Sequence, residues 1–514
     1  MFDGMPGGSR DDRECSGRHG DAVEPVRLGR LFPDARFIAC DDIAAHGCHD
    51  DPAQCGQGDV FVARLTAHGD GHDDVAQAIA RGVAGIVAER IIPTFGTPLC
   101  LVDDSAWALA RLSHALAGDP ARSLRVIAIT GTSGKTTTAW LAASVLSEAG
   151  LRVGVLSDLG CLDADATTPI RADLERPAVL ADWLGRLAAS GCTHAVVEVS
   201  SRMLAEQSLA GIECDTVVVS NLAAAHLDLH GTVTAYHALK ARVLDHLADD
   251  GVLVGCRDDD RVRRLLDRHA RRKRGTASIA VGLTAEADLT AVPVDRGLFG
   301  QTFLMQAGGH SMPVAVTTPV ASFVRDALLA AAVGLRYGVP LERIGRGLEA
   351  AGSVSGRLER IDRGQDFPVF LDHPTSGHSL ATTLAGLRRL TTGRLVLVSE
   401  ERLAAALGDE AAGRSSRFRT RAARWCDECL IVPGGMLADD AGAAALAAYA
   451  RIDRLFSSLG GDDCLLVIGD MPPQTEGPCD PTADATPLAR IVEGWLQLAH
   501  GTAPARSGRR RRAA

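Results

Sequence analysis

The chain has 514 residues, of which 46% are hydrophobic and 23% charged, with a net charge of −10. That balance is globular and excludes a wholly disordered chain or a coiled coil; the length corresponds to about three domains of roughly 150 residues each. The acidic charge argues against a nucleic-acid partner, and no apolar run approaches the roughly 18 residues of a membrane helix, so no membrane partner is expected.

Residues 1–23 are Gly-, Asp- and Arg-rich without an apolar core; they read as a disordered leader rather than a signal peptide. Patterned sequence starts near Val26. A short strand is predicted at Val60–Ala63, and Asp70-Gly71-His72-Asp73 runs into a helix that reaches Ala80 and stops at Gly82. Ala84–Ala88 reads as a buried strand and Trp107–Leu116 as a helix, before the break at Gly118-Asp119-Pro120. These elements make a small α/β domain over residues 24–118.

The next stretch alternates strand and helix. Val126–Ile129, Val153–Leu156, Ala195–Val199 and Thr216–Val219 are continuous apolar runs, as in strands of a parallel sheet covered on both faces. Thr136–Ala149 and Val233–Leu247 read as helices, and residues 278–318 as hairpins on one sheet edge. Residues 119–352 are therefore expected to form a doubly wound, mostly parallel α/β domain. After Gly356 a third α/β stretch, 353–496, carries predicted strands at Val369–Leu371, Leu395–Val398, Cys429–Val432 and Leu465–Ile468. Residues 497–514 end in Arg509–Arg512 and read as a solvated basic tail. The thirteen cysteines are odd in number and scattered, which fits reduced thiols in a cytoplasm. Cys426-x-x-Cys429 lacks a second pair and reads as structural.

The densest chemistry follows the strand Val126–Ile129. Thr130-Gly131-Thr132-Ser133-Gly134-Lys135-Thr136-Thr137 joins a strand to a helix. Glycines let backbone N–H groups approach phosphate oxygens, and the helix N-terminus adds partial positive charge. In such a loop Lys135 reaches the outer phosphates and the Thr136 hydroxyl faces Mg²⁺. Ile129 stands where the usual pattern has its first glycine, so the loop is a variant. Downstream, Glu198 ends a strand, where carboxylates face the ligand crevice of an α/β sheet. It suits a magnesium ligand or an exposed strand-end charge. His226, after Ser220-Asn221, is by itself a cap or packing residue as readily as a ligand. Lys240, on composition alone, is a solvated helix lysine.

The loop, Glu198-Val-Ser-Ser, Ser220-Asn221-Leu222, His226-Leu227-Asp228-x-His230-Gly231-Thr232 and Tyr236-x-x-x-Lys240 occur in this order. With Gly58-Asp59-x-Phe61-Val62-Ala63, Asp70-Gly71-His72 and Thr167-Thr168-Pro169, the sequence resembles the Mur ligases, ATP-dependent amide-forming enzymes of peptidoglycan synthesis. The likeness is greatest to their tripeptide-synthetase branch, covers roughly residues 25–360 and weakens beyond. It implies three domains: one for a UDP-N-acetylmuramoyl-peptide-like substrate, one for ATP, and a Rossmann-like C-terminal domain for an amino acid. A substrate carboxylate would attack the ATP γ-phosphate, and an amine would then displace phosphate from the acyl phosphate. By the same resemblance Gly131, Thr132, Ser133, Gly134, Lys135, Thr136, Thr137, Asn221, Asp326, Arg357 and Asp372 bind the nucleotide. Thr136, Glu198, His226 and Lys240, the last as a carbamylated lysine, hold magnesium; Thr167, Thr168 and Ser200 touch the first substrate. Lys135, His226 and Lys240 would carry catalysis, in a cytoplasmic monomer.

Departures from the family pattern are uneven. Asp51-Pro52-Ala53 replaces an Asp-Ser-Arg element, Arg202 replaces a histidine, Glu206 and Ser208 replace a glutamine and an arginine, and Ala225 replaces an aspartate. Asp326 replaces an asparagine. After Asp372 the chain reads His373-Pro374-Thr375-Ser376-Gly377 in place of Tyr-Ala-His-x-Pro. The Asp-Asn-Pro-Arg signature that selects diaminopimelate is absent, with Val432-Pro433-Gly434-Gly435 in that region. Gly469-Asp470-Met471-Pro472-Pro473 stands in place of Gly-Lys-Gly-His-Glu. Two readings follow: a ligase with an altered second substrate, or a nucleotide-binding paralogue with a regulatory or scaffold role.

Overall fold

The computed structural model describes residues 24–66, 69–163, 166–168, 175–223, 232–272, 277–283, 286–408, 415–433, 443–469 and residues 488, 492 and 496. The leader, the basic tail and His226 lie outside the described residues. The chain divides into two compact units, Met1–Leu112 and Ser113–Ala514.

In the first unit a five-stranded sheet runs in the order Arg36–Ile38, Leu99–Leu101, Gly85–Ala88, Asp59–Val62, Gly47–His49. All neighbours are parallel except the first pair. Phe61, Ala78, Ile86 and Leu99 close its core. The helix runs from Val75 to Ala80, and a 3₁₀ turn at Gly71–Asp74 precedes it. Asp70 anchors that turn. Its carboxylate accepts from His72 N, His72 Nδ1 and Arg90 Nη2, and these bonds hold its pKa down at about 2.

The second unit is built on an eleven-stranded sheet. Seven strands from Val153–Ser157 to Leu289–Gly297 are parallel, in the order Val153–Ser157, His194–Glu198, Arg125–Thr130, Cys214–Val219, Leu247–Cys256, Ala277–Gly282, Leu289–Gly297. Antiparallel strands extend both ends: Gly160–Asp163 and Ala166–Thr168 on one side, Gly300–Ala307 and His310–Val316 on the other. The central strands are apolar on both faces because helices cover both. Lys135–Glu148 and Ala321–Arg336 pack on one side, Pro177–Ala189 on the other. Each fully buried Leu or Val there contributes roughly 1.5–3 kcal/mol.

One expected element is different. The helix predicted at Val233–Leu247 ends at Ala241, continues as a 3₁₀ turn over Arg242–His246, and Leu247 already opens a strand that reaches Cys256. The spacing of Val243, Leu244 and Leu247 looks helical in the sequence. Pairing of Val252–Val254 between two parallel neighbours draws the segment into the sheet instead.

A second sheet in this unit has the order Glu359–Ile361, Val369–Asp372, Cys464–Ile468, Leu395–Glu400, Glu428–Val432, parallel apart from its first pair. The four strands predicted there are present, each longer by one or two residues. The described cysteines are free thiols. Cys426 is buried, and its thiol donates to Ala422 O at 3.2 Å. Among the described residues no helix is long and apolar enough to cross a membrane.

Candidate active site

The phosphate loop leaves the central strand Arg125–Thr130 and enters the helix Lys135–Glu148. Its two glycines have physical reasons. Gly131 has φ +154°, and a Cβ there would fall 1.9 Å from Ser220 Oγ; Gly134 has φ +80°, with a Cβ 2.2 Å from Asp326 Oδ1. Neither position accepts a side chain without movement. The loop is braced from the next strand end. Thr132 N donates to Asn221 O at 3.0 Å and Thr132 Oγ1 to Ala223 O at 3.1 Å. Asn221 accepts from Ser133 N at 3.1 Å and donates to Ser133 O at 2.9 Å. Asn221 thus spends its amide on holding the shape of the loop.

Lys135 Nζ lies 3.5 Å from Glu198 Oε1. Glu198 is buried, not exposed as a strand-end charge would be, and its Oε1 has no hydrogen-bond partner. Its other oxygen accepts from Asp158 N at 3.1 Å. Burial and the neighbouring Asp158 push the Glu198 pKa up, against Lys135 and Arg357, which lower it. Burial works against the charge on Lys135, but Glu198 and Asp158 outweigh it and hold the ammonium protonated. Lys240 is also buried, so the solvated-lysine reading fails. Its Nζ donates to Thr130 Oγ1 at 3.1 Å and sits 5.8 Å from the Tyr236 ring centroid. Burial first, then the charge of Lys135, lowers its pKa to about 7.

A cavity of about 370 Å³ opens in front of the loop. Ser133–Thr137 form one wall, and Arg357, Asp372 and His373 stand across from them. Arg357 Nη2 donates to Thr136 Oγ1 at 3.1 Å, and its Nη1 donates to His373 O. Asp372 is buried and accepts from Leu358 N and Thr383 Oγ1, both at 3.2 Å. His373 fills the space beside Gly356, where a Cβ would fall 2.0 Å from its ring. It holds Gly469 O at 2.7 Å through Nδ1.

Asp326 lines the same cavity and is buried; burial raises its pKa well above the ordinary carboxylate range. A neutral Asp326 presents an O–H and a C=O, much as an asparagine presents N–H and C=O, and places no charge near phosphates. Because the folded pKa lies above the unfolded one, stability is full at low pH and is lost as pH rises through the folded value. Asp326→Asn is therefore expected to raise the melting temperature at neutral and alkaline pH, by the equivalent of roughly 1–3 kcal/mol, and to flatten its pH dependence. Thermal unfolding across pH checks this.

The Ser200 hydroxyl caps the helix Ser201–Ala205 by accepting from Met203 N at 3.1 Å. Thr167 and Thr168 sit on the edge strand Ala166–Thr168, opposite Leu162 and Cys161. Arg202 pairs with Glu206 at 3.1 Å, and Ser208, which stands where the family has an arginine, is fully buried with its hydroxyl on Glu175 O, so it does not offer what an arginine gives a substrate carboxylate. One site residue had no motif to reveal it: Asp158, in a plain turn after a strand; Thr130 opens the loop motif, but nothing in the motif marks its hydroxyl as the partner of Lys240. Only the proximity of Asp158 to a predicted strand end could have marked it.

A loop at the centre of a parallel sheet, a buried lysine–glutamate pair and an arginine facing them define a phosphate-loop nucleotide enzyme. Residues 129–334 match the family model of the Mur ligase middle domain. The chain is 30% identical over 439 residues to a UDP-N-acetylmuramyl-tripeptide synthetase of Roseiflexus sp., covering 80% of this chain and 82% of the relative. It is 31% identical over 388 residues to a UDP-N-acetylmuramoyl-L-alanyl-D-glutamate–2,6-diaminopimelate ligase of Solibacter usitatus, covering 73% and 75%. The chain belongs to the Mur ligases, ATP-dependent amide-forming ligases of peptidoglycan synthesis, and within them its relatives are of the tripeptide-synthetase type. The fold agrees. A solved UDP-N-acetylmuramoyl-L-alanyl-D-glutamate–2,6-diaminopimelate ligase superposes with a TM-score of 0.68 at 20% identity, over 93% of this chain and all of that one. MurF from Thermotoga maritima in complex with ADP superposes with 0.56 at 18% identity, over 88% and 97%.

Proposed function

We propose that this enzyme, a cytoplasmic monomer, joins an amine to the terminal carboxylate of a UDP-N-acetylmuramoyl-peptide-type substrate through an acyl phosphate, using Mg·ATP. Residues 24–118 would hold the nucleotide-sugar, 119–352 the ATP and 353–496 the amine. The observation that carries the reading is the convergence of Lys135, Thr136, Glu198, Lys240 and Arg357 around one loop.

Two anionic reactants must meet there, so positive charge has to be fixed in advance. Lys135 and Arg357 supply it from opposite walls. Loop N–H groups orient the phosphates while Asn221 keeps the loop shape. The carboxylate oxygen bonds to the γ-phosphorus as ADP leaves. The amine nitrogen then bonds to the acyl carbon, and phosphate leaves with the carboxylate's oxygen. The donor set also fits magnesium, because the Thr136 hydroxyl and Glu198 Oε1, which has no hydrogen-bond partner, are hard oxygen donors. Bound there, the ion would neutralise phosphate charge. His226 would join it from outside the described residues.

Lys240 fits this scheme as a carbamate. An ammonium would repel a cation, whereas its lowered pKa keeps the amine available to CO₂, giving N–COO⁻ and a proton. The expected results are a ¹³C carbamate resonance in protein equilibrated with labelled bicarbonate, growing from about pH 6 to about pH 8 as the amine deprotonates, and loss of that resonance with activity in Lys240→Ala. A resonance unchanged in the variant would contradict the assignment. The function itself is tested by ADP release that requires both the UDP-N-acetylmuramoyl-dipeptide and an amine.

A further inference from the structure

Asp158 has no part in the scheme above, yet it stands against the magnesium donors. It sits in the turn after the strand Val153–Ser157, which pairs in parallel with the strand that ends at Glu198. Its backbone N–H binds Glu198 Oε2, so Asp158 and Glu198 meet at neighbouring strand ends. One nitrogen of Arg357, Nη2, lies 3.1 Å from Thr136 Oγ1 and 3.6 Å from Asp158 Oδ2. A positive group at that point touches a hydroxyl and a carboxylate, the oxygen set a hard divalent cation takes. Glu198, 4% exposed, keeps its Oε1 without a hydrogen-bond partner, 3.5 Å from Lys135 Nζ.

We propose that Asp158 is a residue of the divalent-cation site, and that the Arg357 guanidinium and the cation compete for the same two oxygens, Thr136 Oγ1 and Asp158 Oδ2. This rests on the reading of a metal-dependent site given above. The guanidinium spreads one charge over a planar fork, whereas magnesium concentrates two on a small sphere. Cation loading therefore displaces Arg357 from Thr136 and leaves it free to turn towards phosphate. The displacement reaches the second sheet, because Arg357 also holds His373 O, and His373 N binds Gly356 O at 2.9 Å. Gly356 and Leu358, on either side of Arg357, have φ +61° and +52°, a backbone held by its surroundings that can relax when the side chain moves.

The test is Mn²⁺ titration of the full-length, nucleotide-free protein, read as loss of the free-ion electron paramagnetic resonance signal. Arg357→Met removes the competing charge and is expected to tighten Mn²⁺ binding about tenfold, near 1.4 kcal/mol. Asp158→Asn removes a ligand and is expected to weaken it about tenfold. The signs are opposite, so a folding defect cannot produce the first result. Equal affinity of Arg357→Met and wild type, or weaker binding by Arg357→Met, overturns the competition. Equal affinity of Asp158→Asn and wild type overturns the ligand assignment. Glu198→Gln separates these outcomes from failure of the site itself: unchanged Mn²⁺ binding there would overturn the metal-site reading, whereas the expected loss there leaves the other two variants to decide this proposal alone.

Discussion

Lys135→Ala is expected to weaken Mg·ATP binding by about 10²–10³-fold, the effect of removing one preorganised donor from a charged site. Lys135 is the cation that the helix Lys135–Glu148 presents at its first position, directly after the loop. Its loss also strands Glu198. That carboxylate is buried, Lys135 is its 3.5 Å counter-charge, and its pKa is already raised. Removing one partner of a buried pair leaves an uncompensated charge, a cost of roughly 3–5 kcal/mol where burial is complete. Lys135 keeps some exposure, so the cost here is lower, and Glu198 can take up a proton instead. The variant should remain folded near neutral pH and fail to bind nucleotide. Calorimetry with a non-hydrolysable ATP analogue checks this; equal affinity in variant and wild type would contradict the assignment of the loop.

The second large effect concerns the amine. Diaminopimelate carries a distal amino–carboxylate pair, and an arginine reads such a carboxylate with two parallel hydrogen bonds. The strand Glu428–Val432 ends where the Mur ligase signature would begin, and the sequence from Pro433 onward has no arginine before Arg451. Asp470-Met471-Pro472 also lacks the lysine, histidine and glutamate of the second signature. Unpaired polar groups in such a pocket cost several kcal/mol, so diaminopimelate addition is expected to be slower by roughly 10⁴-fold than for a matched amine. The assay presents UDP-N-acetylmuramoyl-dipeptide, Mg·ATP and a panel of amino acids, with products read by mass spectrometry. A tripeptide from an amine other than diaminopimelate supports an altered second substrate. Diaminopimelate turnover of about 1–10 s⁻¹ would show that other residues have taken over its recognition. Failure of every amine, with ATP still bound, would favour a regulatory or scaffold role.

The site was legible in proportion to how local its determinants are. A strand, two glycines and Lys135-Thr136 within eight residues announce the loop, because backbone geometry demands them together. Glu198 and Lys240 could be placed only by their order along the chain. Alone, Lys240 reads as a solvated charge and Glu198 as either a magnesium ligand or an exposed strand-end charge, and only the sheet brings them into one buried cluster. The strand Leu247–Cys256 was hidden because its neighbours at 214–219 and 277–282 supply the pairing, which no local pattern encodes. Asp158 was hidden for the same reason: its significance lies in Glu198 and Arg357, 40 and 199 positions away. The second-substrate end was legible only as departures from the family pattern; His373, which replaces a tyrosine, is packed against Gly356 and bonded to Gly469 O.

The most direct measurement of the central claim follows one oxygen. UDP-N-acetylmuramoyl-dipeptide labelled with ¹⁸O in its terminal carboxylate is incubated with Mg·ATP and the amine selected from the panel, and the released phosphate is analysed by mass spectrometry. An acyl-phosphate ligase transfers one carboxylate oxygen to phosphate, so singly labelled phosphate should appear in step with the amide. Unlabelled phosphate, its fourth oxygen taken from water, or phosphate formed without the labelled substrate, would mark a simple ATPase and contradict the account.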